Sequence, residues 1–117
     1  MMVDAYSQVD ALMNVANRTP SIVRAVSGWD RTIALVVDGE KFAIGIKAGQ
    51  ATLGPAPAQP DVVFQLSRDT LDRLLSGRLS PMAAKLMGRI QSSGSLSDIL
   101  QFSNVLTASV KASRSRA

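Results

Sequence analysis

The sequence predicts an α+β fold, with a five-stranded, mixed but mostly antiparallel sheet covered by helices on one face. Apolar residues recur at helical spacing before residue 28 and after residue 67, and they alternate with a period of two in between. The pair Asp38-Gly39 joins two alternating segments and is typical of a tight antiparallel hairpin. Helices and hairpins are therefore segregated along the chain, which is the pattern of a layered α+β domain.

The N-terminal region is predicted to form two helices. Apolar residues at helical spacing give the first helix, roughly Val3–Val15. Thr19-Pro20 then resembles a cap followed by proline at the first helical position, which predicts a short second helix up to Val26.

Three strands are predicted to follow in an antiparallel meander. Ile33, Leu35 and Val37 alternate with smaller or polar residues, and the same pattern continues after the Asp38-Gly39 turn and after a second turn at Ala48-Gly49. The proline-rich residues 55–60 cannot sit inside a sheet and are predicted to be an extended connector. Residues 61–66 give a fourth strand.

The C-terminal half is predicted to contain three helices and one strand. Ser67 caps a helix that ends at Gly77, and residues 80–87 form a short helix that ends at Gly88. Residues 89–94 give a fifth strand, which we expect to run parallel to the fourth because helices connect the two. Ser95 then opens the last helix. We expect one domain over residues 1–117, made of N-terminal helices (1–28), a core (29–112) and a frayed tail (113–117).

Composition excludes several kinds of chemistry. The chain has neither cysteine nor histidine, so it lacks disulfides, thiolate chemistry and the commonest general base. Residues 1–72 carry six basic and eight acidic side chains, whereas residues 73–117 carry seven basic and one acidic. A basic half suits an anionic membrane, nucleic acid or an acidic protein. Aromatic residues are too few to interleave with these charges, so nucleic acid is not expected as a partner.

No catalytic residue, cofactor site or metal site is predicted. Asp69 and Asp72 lie three residues apart on a helix but share their turns with arginines, which indicates a solvated surface. Serines 92, 93 and 95 lack a histidine to activate them. We therefore do not expect an enzyme. The N-terminus does not resemble a signal peptide and no apolar run reaches about 20 residues, so we expect a soluble, cytoplasmic protein.

The C-terminal half resembles the sterol carrier protein 2 (SCP2) family. In that family a strand precedes a capped helix with the pattern L-x-x-L-L-x-G, followed by L-x-P-x-x-A-x-x-x-G and a later glycine. The residues that fit are Leu71, Leu74, Leu75, Gly77, Leu79, Pro81, Ala84, Gly88, Ile90, Gly94 and Leu96. The Val36–Gly39 hairpin and Pro60-Asp61 also look like the family. Before the glycine at position 88 the family usually has methionine or phenylalanine and a basic residue, and after it lysine. This chain has Leu86-Met87 before Gly88 and Arg89 after it, so the residue types are similar but the residues differ.

The resemblance implies a hydrophobic tunnel between sheet and helices that binds fatty acids, acyl-CoA, sterols or other apolar molecules without changing them. The short helix with Met82 and Met87 and the last helix would form part of its wall, and methionine adapts well to varied ligands. The residues that we expect to line the tunnel are Phe64, Leu75, Leu79, Met82, Leu86, Met87, Phe102 and Leu106. Arg78, Lys85 and Arg89 are expected at its mouth, where they would hold an anionic head group or touch an anionic membrane.

Two other interpretations stay open at this point. The apolar faces could simply pack against each other, with no cavity between them. Alternatively, the domain could be an accessory scaffold that holds an isoprenoid or other apolar intermediate, or a partner helix, in a biosynthetic assembly. The ligand, a protein partner and a homodimer are likewise left open by the sequence.

Overall fold

The computed structural model describes residues 4–115 and confirms the α+β class. The elements are α1 (Ala5–Asn17), α2 (Pro20–Val26), β1 (Arg31–Val37), β2 (Glu40–Lys47), β3 (Gln50–Gly54), β4 (Val62–Leu66), α3 (Arg68–Leu75), α4 (Pro81–Leu86), β5 (Ile90–Gly94) and α5 (Leu96–Ser115).

The five strands form one mixed sheet in the order β3-β2-β1-β4-β5. The pairs β1–β2, β2–β3 and β4–β5 are antiparallel, and β1–β4 is parallel. The parallel pair is reached because the chain passes through β2, β3 and the proline-rich connector before it returns beside β1.

The expected parallel pairing of β5 with β4 is wrong. The two strands are antiparallel, and Leu66 at the end of β4 is the partner of Ile90 at the start of β5. Between them α3 and α4 are short, with eight and six residues, and Gly77 turns the chain at φ 78°. The connection therefore leaves β4 and enters β5 at the same end of the strands, and it does not return along the length of the sheet as a parallel crossover must.

The core lies between one face of the sheet and the helices. On β1 the inward residues Ile33, Leu35 and Val37 are buried, and the equivalent positions of β2 and β4 are buried too. Helix α1 packs on β3 and α5, and α5 also packs on α2, α4 and β5. The helices thus form the second layer of the domain.

Local capping fixes the first helix. Asp4 is the N-cap of α1, and its carboxylate accepts a hydrogen bond from the Ser7 backbone N–H at 2.7 Å. This interaction is the usual way to satisfy a free N–H at a helix start. The described helix begins at Ala5, and the expected start at Val3 lies outside the described residues.

The last helix begins as expected and is longer than expected. The Ser95 hydroxyl accepts a hydrogen bond from the Asp98 N–H at 3.2 Å. The helix then continues to Ser115, past the point where fraying was expected, and residues 116 and 117 lie outside the described part. Within residues 4–115, no helix has both the length and the apolarity needed to cross a bilayer.

Candidate ligand-binding site

A small apolar void lies between the sheet and the helices. Its volume is ≈ 30 Å³, about the share of one water molecule in liquid. The strands contribute Leu35, Ile44, Phe64, Leu66 and Ile90, and the helices contribute Val9, Leu71, Leu74, Leu75, Pro81, Phe102, Ser103 and Leu106. The one hydroxyl in this lining, that of Ser103, donates to the Ile99 carbonyl at 2.8 Å. The void therefore presents no unsatisfied polar group from the described residues.

An open groove lies next to the void, between the α3–α4 turn and the C-terminal half of α5. Its volume is ≈ 430 Å³, within the range of about 300–1,000 Å³ that is usual for small-molecule sites. The lining consists of Leu74, Gly77, Leu79, Ser80, Pro81, Leu106, Thr107, Val110, Lys111, Arg114 and Ser115.

The void and the groove are adjacent because they share three side chains. Leu74, Pro81 and Leu106 line both, so these residues separate the interior of the domain from solvent. Leu106 is half-buried, whereas Leu74 and Pro81 are buried. A rearrangement of this partition would join the two spaces into one cavity with an apolar inner end and a more polar mouth.

Five of the eight expected lining residues border these spaces. Phe64, Leu75 and Phe102 line the void, Leu79 lines the groove, and Leu106 lines both. They come from β4, α3, the α3–α4 turn and α5, so the structure brings together residues that are up to 42 positions apart in sequence (Phe64 to Leu106).

The three residues expected from α4 lie elsewhere. Met82, Leu86 and Met87 are 45%, 85% and 60% exposed, and they border neither the void nor the groove. The helix instead buries Pro81 and Ala84, which are three residues apart and therefore share a face. The short helix packs closely through its smaller side chains and leaves its larger ones in solvent.

The three cations expected at the mouth are also outside the groove lining. Lys85 donates from its ammonium to the Ser92 hydroxyl on β5. Arg89 forms an ion pair with Asp69, with 3.6 Å between Nη1 and Oδ2. Arg78 is exposed and donates its backbone N–H to the Arg73 carbonyl.

Lys111 and Arg114 are the cations that do line the groove, and neither was predicted from the sequence to be a site residue. Together with Thr107 they occur at positions i, i+4 and i+7 of α5, which places them along one side of the helix beside Leu106 and Val110. That spacing could have identified them as a polar border of the apolar stripe.

The Arg114 side chain lies over Gly77 in the α3–α4 turn. A Cβ atom added at Gly77 would collide with the guanidinium group. Gly77 also has φ 78°, a conformation that favours glycine. The turn and the C-terminal end of α5 are therefore in direct contact at the groove.

The described residues of the void and the groove offer few groups for acid–base or metal chemistry. Among residues 4–115 no group of three or more Asp, Glu, His or Cys side chains could hold a metal ion. Asp69 and Asp72 form exposed ion pairs with Arg73 and Arg68 on α3, at 3.0 and 3.5 Å. The described lining of void and groove contains no carboxylate.

Comparison with known proteins identifies relatives of this fold. The sequence matches the SCP-2 sterol transfer family over residues 10–107, which includes most of α1. A Thermus thermophilus protein described as a candidate sterol carrier protein has a similar structure, with TM-score 0.71, 21% identity, and coverage of 100% of this chain and 91% of that one.

Two further solved structures are similar. A crystal structure of sterol carrier protein 2 gives TM-score 0.69 at 21% identity, covering 94% of this chain and 95% of that one. The UbiJ-SCP2 ubiquinone synthesis protein gives TM-score 0.69 at 14% identity, covering 89% and 94%. No protein of curated function matches the sequence.

Proposed function

The chain belongs to the SCP-2 sterol transfer family, and on this premise we propose that it binds a small apolar ligand between its sheet and its helices and carries it without chemical change. A fatty acid, an acyl-CoA, a sterol-like molecule or another lipid would fit this role. The observation that supports the proposal most is that the open groove and the apolar void are adjacent, with Leu74, Pro81 and Leu106 lining both.

Ligand entry requires the void to expand. At ≈ 30 Å³ it cannot hold a lipid chain, so the ligand must displace side chains of the partition. Leu106 of the partition and Leu75 in the lining of the void are only half-buried and can move at lower cost than fully packed residues. Transfer of each ligand methylene from water contributes about 0.8 kcal/mol, so a long chain can offset the cost of opening.

The chemistry of the lining favours holding a ligand over converting it. The void side chains of the described residues are hydrocarbon except for Ser103, whose hydroxyl is already hydrogen-bonded to its own helix. A serine without a neighbouring base is a poor nucleophile. We therefore propose a binding and transfer role, with no catalytic step.

Ligand binding can be tested on the purified protein with dodecanoate, acyl-CoA and a sterol as probes. Native mass spectrometry should show a one-to-one adduct, and the Tm should rise with ligand concentration because only the folded state binds. Transfer of a fluorescent fatty acid between donor and acceptor vesicles would then measure carriage. Absence of an adduct and of a Tm rise with all three probes would overturn the proposal.

A second candidate role is an accessory scaffold that holds an isoprenoid or other apolar intermediate, or a partner helix, in a biosynthetic assembly. The exposed Met82 and Leu86 on α4 and Met87 directly after it favour this role, because large apolar side chains exposed to solvent often mark a contact surface. The structural similarity to the UbiJ-SCP2 ubiquinone synthesis protein also favours the scaffold role. A stable protein complex on affinity purification, with no lipid adduct, would support this role over transfer.

The same helix also supports a proposal of membrane contact. Lys85 on α4, Arg78 before it and Arg89 after it are close in sequence to the three exposed apolar residues. Basic and apolar side chains together suit the surface of an anionic bilayer. Co-sedimentation with vesicles containing anionic lipid, compared with neutral vesicles, tests this contact.

A further inference from the structure

We propose that the groove beside α5 is a subsite for the anionic head group of a single-chain amphiphile, with Lys111 and Arg114 as the residues that bind it. This inference rests on the proposed ligand-binding function, and it names the chemical class of ligand: a long apolar chain that ends in a carboxylate. The chain would occupy the expanded void, and the head group would stay in the groove.

The shape of the site matches such a ligand. The groove is large enough for a hydrated head group, at ≈ 430 Å³, and it shares Leu74, Pro81 and Leu106 with the apolar void. Displacement of the half-buried Leu106 would let the first methylene groups pass from the groove to the interior. A neutral, wholly apolar ligand would leave the polar end of this path unused.

The charges of the groove match an anion. Lys111 and Arg114 both line it, and the described part of the lining contains no acidic side chain. The ion pairs found within residues 4–115 involve Arg31, Arg68, Arg73 and Arg89, and none involves Lys111 or Arg114. These two cations are therefore not neutralised by a carboxylate of the described residues.

The Arg114 side chain contacts the groove lining at Gly77. Arg114 packs over Gly77, where a Cβ atom would displace its guanidinium group. Lys111 lies three residues earlier on the same helix, so both side chains are on the side of α5 that meets the α3–α4 turn. An anion in the groove could contact both, and a guanidinium group binds carboxylate with two hydrogen bonds.

A simpler role for the two cations is stabilisation of the helix end. Basic side chains near a helix C-terminus interact favourably with its dipole. That role predicts a change in Tm on substitution and no change in ligand preference. Ligand preference is therefore the measurement that separates the two roles.

The experiment compares dodecanoate with 1-dodecanol, which has the same chain and no charge, at neutral pH. Affinities are measured by displacement of a fluorescent fatty-acid probe from three proteins: the unmodified chain, Lys111→Gln/Arg114→Gln, and Lys41→Gln/Lys47→Gln. Lys41 and Lys47 are exposed on β2, away from the groove, so the last variant removes the same charge elsewhere. Circular dichroism checks that each variant is folded.

We expect the unmodified chain to prefer dodecanoate over 1-dodecanol and the groove variant to lose about tenfold in dodecanoate affinity, with 1-dodecanol affinity unchanged. The control variant should keep the preference, and added salt should weaken it in the unmodified chain.

Equal affinity for the two probes, or an unchanged preference in the groove variant, would overturn the head-group proposal while ligand binding itself stands. Failure of both probes to bind would overturn the head-group proposal, whereas the proposed ligand-binding function falls only if acyl-CoA and the sterol also fail to bind. Dodecyl phosphate in place of dodecanoate shows whether the site also accepts a phosphate.

Discussion

The rings of Phe64 on β4 and Phe102 on α5 contact each other in the lining of the apolar void, with centroids 5.4 Å apart and planes tilted by 36°. Both side chains are buried, and their contact joins the sheet to the longest helix. Paired aromatic rings at this distance stabilise a core beyond the area that they bury. A ligand that enters the void has to share this space with them.

Phe102→Leu should enlarge the void and improve binding of bulky apolar ligands, while it lowers the free energy of unfolding by about 1–2 kcal/mol. Urea denaturation with and without a sterol probe measures both effects. Phe42→Leu is the matched control because Phe42 is equally buried but does not line the void. It should cost similar stability and leave binding unchanged, and a gain in binding in both variants would contradict the assignment of the void.

Leu106→Trp should obstruct the passage between groove and void. The larger side chain fills the partition, so we expect about a tenfold loss in dodecanoate affinity with a stability change of about 1–3 kcal/mol at most. Leu100→Trp is the control on the same helix, since Leu100 is exposed and lines neither space. Fluorescent-probe displacement compares the two, and equal affinities would rule out this route of entry.

Asp98 links the start of α5 to the sheet and makes stability depend on pH. Its carboxylate accepts from the Trp29 indole N–H and from Arg31 Nε, each at 3.0 Å. The Trp29 hydrogen bond is the main cause that lowers the pKa of Asp98 below its ordinary value of 3.8; partial burial opposes it, and Arg31 and Ser95 add to the lowering. The ionised form is therefore favoured in the folded state.

The sign of the pH effect follows from this lowered pKa. The contribution of Asp98 is fully present above pH 3.8, its unfolded value, and is lost as the pH falls through the folded value. Asp98→Asn should cost about 1 kcal/mol at neutral pH, and the difference from the unmodified chain should shrink in acid. Asp10→Asn, which removes the same charge from α1, should show a smaller difference. Urea denaturation across the acid range would contradict the prediction if the Asp98→Asn difference stayed constant.

Gly77→Ala should be slightly more destabilising than Gly88→Ala, because the exposed Arg114 side chain can move away at low cost. Both glycines have positive φ, 78° and 75°, so each substitution carries a backbone cost of about 1–2 kcal/mol. Only at Gly77 must the new Cβ also displace a neighbouring side chain, that of Arg114, whereas nothing lies within 4 Å at Gly88. Addition of Arg114→Ala to Gly77→Ala should remove the excess cost in urea denaturation. An equal loss in the free energy of unfolding for the two glycine variants would show that the contact between Gly77 and Arg114 does not affect stability.

Leu86→Gln/Met87→Gln at the C-terminal end of α4 should change the free energy of unfolding by no more than about 0.5 kcal/mol, because both side chains are exposed. Binding to anionic vesicles should fall if α4 contacts the membrane, and co-sedimentation measures this. Tyr6→Gln is the control, because Tyr6 is an exposed apolar residue of α1. Reduced dodecanoate binding in the α4 variant would instead support α4 as part of the ligand wall.

Several features of the protein are determined by the sequence itself because they depend on neighbours along the chain. The caps at Ser67, Ser80 and Ser95 each accept a hydrogen bond from a backbone N–H three residues later. The Asp38-Gly39 hairpin likewise follows from local turn preference. The motif from Leu71 to Leu96 identified the family, which the match over residues 10–107 confirms.

Other features required the tertiary structure because they depend on how distant segments meet. The antiparallel direction of β5 follows from the path of α3 and α4 in space, which the order of elements does not specify. In α4, spacing allows either Met82 and Leu86 or Pro81 and Ala84 to face inward, and close packing on the domain selects the smaller pair. Lys111 and Arg114 border the groove because α5 meets the α3–α4 turn, a contact between residues 37 positions apart (Gly77 to Arg114). Local periodicity determines which residues share a helix face, but only packing between elements determines what that face contacts.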